Sequence, residues 1–280
     1  MKQSKSIIRQ DSDYFYLKCN NPNKKGVIIY VHGFSSTYYL HHEFVLSNHF
    51  DEYDYFSMNF HNENPSDSNR KKLDEYDINY YAYQLIDEIN KHDFQDIILI
   101  GHSMGGGISL LVYMKLASRI KKIILVNAIN PIIYTSSIGL KYLWSVIRNE
   151  KWQIKSLETN ERLQTDSQMK FVINEYLNYE LERFLLLKYR FLFLGIKLIS
   201  PKLYAKLNKL YKTITIPVLF ISGKDDKVIP SNATKKYLSK LNNNYIEFVA
   251  IENTKHIPFV EAFEEYNKLV WEFINRDKTK

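Results

Sequence analysis

Cysteine and long apolar runs are scarce or missing in this 280-residue sequence. It has one cysteine, Cys19, so an internal disulfide framework is excluded; this fits a reducing compartment or a protein that is indifferent to redox conditions. Apolar runs long enough to span a membrane, about eighteen residues or more, do not occur, so no spanning helix is predicted. Residues 1–18 are polar and charged, and without an apolar core we expect no signal peptide. These absences predict a cytoplasmic location.

Charge of one sign is only mildly in excess. The 38 Lys and Arg residues outnumber the 31 Asp and Glu residues, which gives a net charge of +7. Such a balance favours anionic surfaces. However, the basic runs at residues 70–72 and 121–122 lack interleaved aromatics and are typical of solvated turns, so we expect no nucleic-acid partner. The length and the 45% hydrophobic content allow one sizeable core with an insertion, or two small domains.

Apolar runs of strand length alternate along the chain with helix-like stretches. The runs occupy residues 14–17, 27–31, 53–60, 97–100, 123–126, 218–221 and 246–251. Several are continuous rather than alternating, which is typical of strands buried on both faces of a parallel sheet. Helices are predicted between them, at residues 76–92, 109–117, 232–241 and 261–273. The pattern predicts an α/β fold with a doubly wound, mostly parallel sheet.

One segment interrupts this alternation. Residues 131–213 show helix-like patterns and no convincing strand, and prolines stand at 131 and 217. We interpret the segment as a helical cap over the strand ends. The predicted organisation is therefore a core formed by residues 1–130 and 214–280, with a cap at 131–213.

The most informative motif is Gly101-His102-Ser103-Met104-Gly105, which lies between an apolar run and a helix-like stretch. A sharp strand-to-helix turn exposes its apical serine and strains its backbone. The following helix N-terminus directs N–H groups at the site. The glycines remove Cβ atoms that would collide across the turn. This context predicts Ser103 as a nucleophile, with the N–H of Met104 as one oxyanion donor.

A serine nucleophile needs a base and a carboxylate that holds the base. Among the eight histidines, His256 follows the last apolar run and precedes the terminal helix, so it is the predicted base. His102 is expected to point away from Ser103, and His32 belongs to another turn. The others, His41, His42, His49, His61 and His92, are predicted to be surface residues, and no metal site is predicted.

The acid and the second oxyanion donor also follow strands. Asp225 and Asp226 come just after the run at 218–221, and their spacing from Gly223 favours Asp226, with Asp225 as the alternative. Either could instead cap the helix that follows. The turn His32-Gly33-Phe34 also ends a strand, and its glycine permits close approach of the chain. The N–H of Phe34 is the predicted second donor.

These motifs resemble the α/β-hydrolase superfamily, in its capped serine esterase and lipase-like branch. The resemblance covers nearly the whole chain, and the order Ser103, Asp226, His256 is the order of that superfamily. It implies hydrolysis through an acyl-serine intermediate, without a metal or organic cofactor. One departure lies at residues 59–66, which contain no glycine where many relatives carry a Gly-His-Gly turn.

The resulting hypothesis is a carboxylic ester hydrolase acting on a small-molecule or lipid ester. An alternative is a lysophospholipase or monoacylglycerol lipase that contacts a membrane through the apolar and cationic cap residues 184–194. Amide hydrolysis, carbon–carbon bond hydrolysis and a non-catalytic binding protein on the same fold are less favoured alternatives.

Overall fold

The computed structural model describes residues 6–10, 14–34, 36–47, 52–60, 76–134 and 192–276. Within these ranges the chain forms an eight-stranded sheet with the spatial order β1-β2-β4-β3-β5-β6-β7-β8. The strands are β1 (Ser6–Gln10), β2 (Tyr14–Lys18), β3 (Gly26–Val31), β4 (Tyr53–Met58), β5 (Ile97–His102), β6 (Ile120–Val126), β7 (Val218–Gly223) and β8 (Ile246–Ile251). Strands β3 to β8 pair in parallel, whereas β1 and β2 pair antiparallel at one end of the sheet.

Helices cover both faces of this sheet. They are α1 (His42–Ser47), α2 (Ile78–Lys91), α3 (Met104–Leu116), α4 (Pro201–Thr213), α5 (Ser231–Ser239), α6 (Pro258–Glu261) and α7 (Phe263–Asn275). Short 3₁₀ helices lie at Tyr38–His41, Ala117–Arg119 and Pro131–Tyr134. Two of these helices begin at residues that favour a helix N-terminus. The Asp77 side chain accepts a hydrogen bond from the N–H of Asn79 at the start of α2, and α4 begins with Pro201.

The core consists of two apolar layers, one on each face of the sheet. Alternate residues of a strand point to opposite faces, so Leu99 packs in the layer that contains α2, α3 and α4. Its neighbours Ile98 and Ile100 pack in the layer that contains α7. All six residues of β5 are buried. Such two-sided burial explains why the central strands have continuous apolar sequences.

The predicted fold class is confirmed: the sheet is mostly parallel and helices lie on both faces. Each apolar run predicted as a strand is one. Strand β1 was not predicted, because its sequence SIIRQ is short and mixed. It extends the sheet by pairing antiparallel with β2.

Most of the predicted cap lies outside the described residues, which omit 135–191. The ends of the segment are described, and they are helical at Pro131–Tyr134, at residues 192–198 and in α4. The segment leaves the sheet after β6 and returns at β7, its parallel neighbour. Among the helices within the described ranges, none combines the length and apolar character that a bilayer crossing requires.

The end of the terminal helix is fixed by a lysine of a central strand. Nζ of Lys122 in β6 donates to the carbonyls of Phe273, Ile274 and Arg276, at 2.9, 2.8 and 2.7 Å. Carbonyls in the last turn of a helix accept no hydrogen bond from within the helix, and they carry partial negative charge. Lys122 therefore anchors the C-terminus of α7 to the sheet.

We predict that Lys122→Met lowers the free energy of unfolding by about 1–3 kcal/mol, because three charge-assisted hydrogen bonds are lost while the apolar stem remains. Urea denaturation measures the change. Lys121→Met is the matched control, because Lys121 forms an exposed ion pair with Asp96 that is worth about 0–1 kcal/mol. Equal effects of the two substitutions would contradict the anchoring role.

Candidate active site

Ser103 occupies the turn between β5 and α3 in a strained conformation. Its φ is 52° and its ψ is −115°, a region that costs a non-glycine residue about 1–3 kcal/mol. The surroundings hold this conformation: the Ser103 N–H donates to the carbonyl of Val126 at 2.9 Å. The Ser103 carbonyl accepts from Gly106 at 3.1 Å and from Ile129 at 3.0 Å. The strained turn predicted from the motif is present.

The glycines on each side of Ser103 make the turn sterically possible. A Cβ atom on Gly101 would lie 2.6 Å from the carbonyl oxygen of Gly105, across the turn. A Cβ atom on Gly105 would collide with the carbonyl of Val31 in β3. The start of α3 therefore packs directly against β3, which brings the turn that follows β3 next to Ser103.

That turn is His32-Gly33-Phe34. A Cβ atom on Gly33 would lie 3.2 Å from Cβ of Ser103, so the backbone of this turn passes beside the serine. Met104 is the first residue of α3, where an N–H has no acceptor inside the helix. Phe34, Ser103 and Met104 line one pocket. The structure thus brings both predicted oxyanion donors and the serine to one place.

Asp226 and His256 form a buried hydrogen-bonded pair. Nδ1 of His256 lies 2.8 Å from Oδ2 of Asp226, and the Asp226 side chain is fully buried. The other carboxylate oxygen, Oδ1, accepts from the N–H groups of Val228 and Ile229 at 2.7 and 3.1 Å. Because a carboxylate accepts, Nδ1 of His256 carries the proton, and Nε2 is left as the basic nitrogen.

The sequence left open whether Asp225 or Asp226 is the partner of the histidine, and the structure distinguishes the two. Asp225 is exposed, and its N–H donates to the carbonyl of Thr254 at 2.8 Å. Neither aspartate caps the helix that follows, because α5 begins at Ser231 after Pro230. The acid of the pair is Asp226.

His256 lies close to the serine turn. The rings of His102 and His256 have centroids 4.9 Å apart, and Ser103 directly follows His102. All these groups come from loops at the carboxyl ends of β3, β5, β7 and β8, where ligands of open α/β sheets bind.

The pocket beside Ser103 is mainly apolar. Besides the serine turn, it is lined by described residues at both ends of the predicted cap, including Ile133, Leu198 and Tyr204. Val228 and Ile229, just after Asp226, complete the wall. A group that enters this pocket meets hydrocarbon on most sides and polar backbone near Ser103.

Comparisons with known proteins identify the family to which this chain belongs. A family model described as serine aminopeptidase, S33, matches residues 22–262. The chain is a member of this α/β-hydrolase family. The match includes β3 to β8 and each of the loops described above.

Curated relatives of this hydrolase are named for ester cleavage. A Mycoplasma pneumoniae protein provisionally named esterase/lipase 1 is 25% identical over 257 residues, which are 91% of this chain and 93% of the relative. The provisional esterase/lipase 2 of the same organism is 29% identical over 261 residues, 91% of each chain. The solved esterase of Exiguobacterium antarcticum superposes with a TM-score of 0.70 at 18% identity, covering 94% of this chain and 96% of that one.

The surface prediction for His41 is wrong. His41 is 1% exposed, and its ring stacks on Tyr30 with centroids 4.2 Å apart. Its Nδ1 and Nε2 lie 3.1 and 2.8 Å from the hydroxyls of Tyr55 and Tyr266. These partners come from three distant elements, so the local sequence around His41 gave no sign of them. His42 and His92 are half-buried, and His49 and His61 lie outside the described residues.

Two further residues at the site were missed. Asn127 follows β6 and is fully buried, and its side chain contacts the loops that carry Asp226 and His256. His102 was expected only to point away from Ser103, but its Nε2 lies 2.9 Å from the carbonyl oxygen of His256. A polar residue directly after a buried strand at the carboxyl edge is a signal that could have found Asn127.

The buried state of His41 predicts a pH-dependent stability. Burial, with a smaller contribution from the charge of His42, lowers the pKa of His41 to about 3. The unfolded chain, with an ordinary histidine pKa of about 6.5, takes up this proton first as the pH falls. Stability is therefore lost as the pH falls below about 6.5, by about 2 kcal/mol between pH 7 and pH 5.

We expect His41→Gln, which cannot titrate, to remove this part of the difference between pH 7 and pH 5. Urea unfolding at the two pH values measures it. Between pH 7 and pH 8, where histidine is mostly neutral in both states, wild type and variant should change alike. An unchanged difference between pH 7 and pH 5 in the variant would disprove the assignment.

Proposed function

We propose that this hydrolase cleaves carboxylic esters through an acyl-serine intermediate. The observation that carries the proposal is the buried hydrogen bond between His256 and Asp226, in a loop next to the strained Ser103 turn. A histidine with a protonated Nδ1 held by a carboxylate has its Nε2 available as a general base. The provisional esterase/lipase names of the curated relatives support the same class of substrate.

In the proposed first half-reaction, Oγ of Ser103 attacks the ester carbonyl and Nε2 of His256 takes the hydroxyl proton. The N–H groups of Phe34 and Met104 donate to the oxyanion that forms, which is where preorganised donors contribute most. Collapse of the tetrahedral intermediate breaks the bond to the alkoxy group. His256 then passes its proton to the departing alcohol.

In the second half-reaction, water attacks the acyl-serine and gives its proton to His256. The new tetrahedral intermediate collapses to the carboxylic acid, and the proton returns to Ser103. Asp226 stays ionised and stabilises the imidazolium that forms twice in each cycle. Its Oδ1 is held by two backbone N–H groups, so Oδ2 stays directed at Nδ1.

The apolar lining of the pocket suits a substrate with an apolar acyl or alcohol group. We propose that residues 131–213 form the cap and that its ends, with Ile133, Leu198 and Tyr204, shape this pocket. Lysophospholipid or monoacylglycerol cleavage at a membrane remains a prediction, because most of the apolar and cationic residues 184–194 lie outside the described ranges. A cytoplasmic location likewise stays a prediction.

Amide hydrolysis is a second candidate, because the family is described as serine aminopeptidases. The same nucleophile and base could act on an amide, where His256 would protonate an amine leaving group. A matched pair of chromogenic substrates separates the two activities: p-nitrophenyl esters graded by acyl length, and aminoacyl p-nitroanilides. We expect the protein to turn over the esters in preference to the anilides.

We predict that Ser103→Ala abolishes both ester turnover and covalent labelling by a fluorophosphonate, because the probe reacts only with an activated serine. Mass spectrometry should place the label of the wild-type protein on the peptide that contains Ser103. Ser109, buried in α3 with its Oγ donating to the carbonyl of Gly105 at 2.8 Å, provides the control Ser109→Ala, which removes a hydroxyl elsewhere. Labelling that survives Ser103→Ala would refute the assignment of the nucleophile.

We also predict that Asp226→Asn lowers kcat by about 10⁴-fold, because the amide favours the wrong tautomer of His256. Asp225→Asn is a closely matched control: it makes the same chemical change one residue away, on an exposed side chain. Its kcat should stay near that of wild type. Steady-state kinetics on one p-nitrophenyl ester decide the matter, and a large loss in Asp225→Asn alone would reverse the assignment.

A further inference from the structure

The loop that carries His256 is held by side chains at the carboxyl ends of β5 and β6. Nε2 of His102, the last residue of β5, lies 2.9 Å from the carbonyl oxygen of His256. Nδ2 of Asn127, just after β6, donates to the carbonyl of Lys255 at 3.0 Å. Two successive carbonyls of the loop are therefore bound by two buried donors.

His102 is a donor of a particular kind. A carbonyl oxygen can only accept, so Nε2 of His102 carries a proton. Burial, with a further contribution from the charge of the neighbouring His256, holds the pKa of His102 well below its usual range. His102 is therefore neutral at neutral pH. It binds the loop without placing a second positive charge beside the imidazolium of His256, which a lysine or arginine would do.

Asn127 joins the loop of the base to the loop of the acid. Its Oδ1 accepts from the N–H of Gly223 at 2.9 Å, three residues before Asp226, while its Nδ2 holds Lys255. The φ of Asn127 is 44°, in the left-handed region that asparagine and aspartate tolerate better than most residues. One amide group thus sets the spacing between the segments that carry Asp226 and His256.

We propose that His102 and Asn127 are positioning residues for the base. They fix the backbone at Lys255 and His256. In this position the His256 ring can form its hydrogen bond with Asp226 and face Ser103 at the same time. The inference rests on the proposed function, because it assigns these residues a part in the same reaction. In this proposal neither His102 nor Asn127 contacts the substrate. Both act through His256.

Packing is the competing explanation for His102, because its ring also meets Phe259 edge-on, with centroids 5.0 Å apart. Two substitutions separate donation from packing. His102→Leu fills space but donates nothing, whereas His102→Gln supplies an N–H group from a side chain of similar reach. If packing alone matters, the two variants should behave alike.

The kinetic experiment measures kcat and KM on a p-nitrophenyl ester, with reactive sites counted by fluorophosphonate titration so that unfolded protein does not affect kcat. We expect His102→Leu to lower kcat by about 10–10²-fold, as misplacement of a catalytic group by an ångström does. KM should change little, because the pocket is intact. His102→Gln should restore most of the kcat. Wild-type kcat per reactive site in His102→Leu would overturn the inference.

Asn127→Asp provides an independent test, since it keeps the shape, tolerates the same φ and still accepts from Gly223. It replaces the donor to Lys255 with an oxygen, so kcat should fall here too. Because both residues hold one loop, the losses in the double variant with His102→Leu should be less than multiplicative. Fully multiplicative losses would contradict a shared role of the two residues in holding this loop.

A spectroscopic measurement distinguishes failure of this inference from failure of the proposed function. The Nδ1 proton of His256, bonded to Asp226, should give a downfield proton NMR signal in the wild-type protein. We expect the signal to weaken in His102→Leu and Asn127→Asp and to persist in His102→Gln. Absence of ester turnover in wild type would refute the proposed function, whereas an unaltered signal in both donor-removing variants would refute the positioning role.

Discussion

A carboxylate oxygen of Asp226 and Nδ1 of His256 meet at 2.8 Å, although they belong to loops that follow two different strands. This hydrogen bond depends on the parallel pairing of β7 with β8, which brings the ends of both strands to one edge of the sheet. Two backbone N–H groups occupy the second carboxylate oxygen. The ring of His256 therefore has one strong acceptor available for Nδ1, and its orientation follows from that.

The strained turn at Ser103 is supported in a comparable way by its neighbours. Its carbonyl and N–H bind β6 and the segment after it, so the unfavourable φ and ψ are maintained by bonds outside the turn. Gly101 allows the turn itself to close, and Gly105 allows the approach of α3 to β3 that places the His32-Gly33-Phe34 turn beside the serine. Strain, close packing and the position of the predicted oxyanion donors are consequences of the same few contacts.

The sequence could predict those parts of the fold and site that depend on neighbouring residues. Burial on both faces leaves continuous apolar runs, and the turn at Ser103 needs glycines at fixed spacing, so the strands and the strained turn could be identified locally. Distant interactions could be predicted only where a motif marks both residues, as for Asp226 and His256; those without a motif could not. His102 bonds a carbonyl 154 positions away, and His41 bonds a tyrosine 225 positions away. Nothing in the residues around either histidine specifies such a partner, and this is why His41 was wrongly expected at the surface.

The long segment between β6 and β7 has a consequence for how this protein can evolve. Those two strands are paired in register, and the entropic cost of lengthening a connection between two fixed ends rises only slowly with its length. Changes in the length or composition of this segment therefore leave the sheet and the loops at its carboxyl edge in place. Selection can therefore change the pocket wall through one contiguous stretch of gene, while the flanking parts of the chain keep the Ser103 turn and the pair of Asp226 and His256.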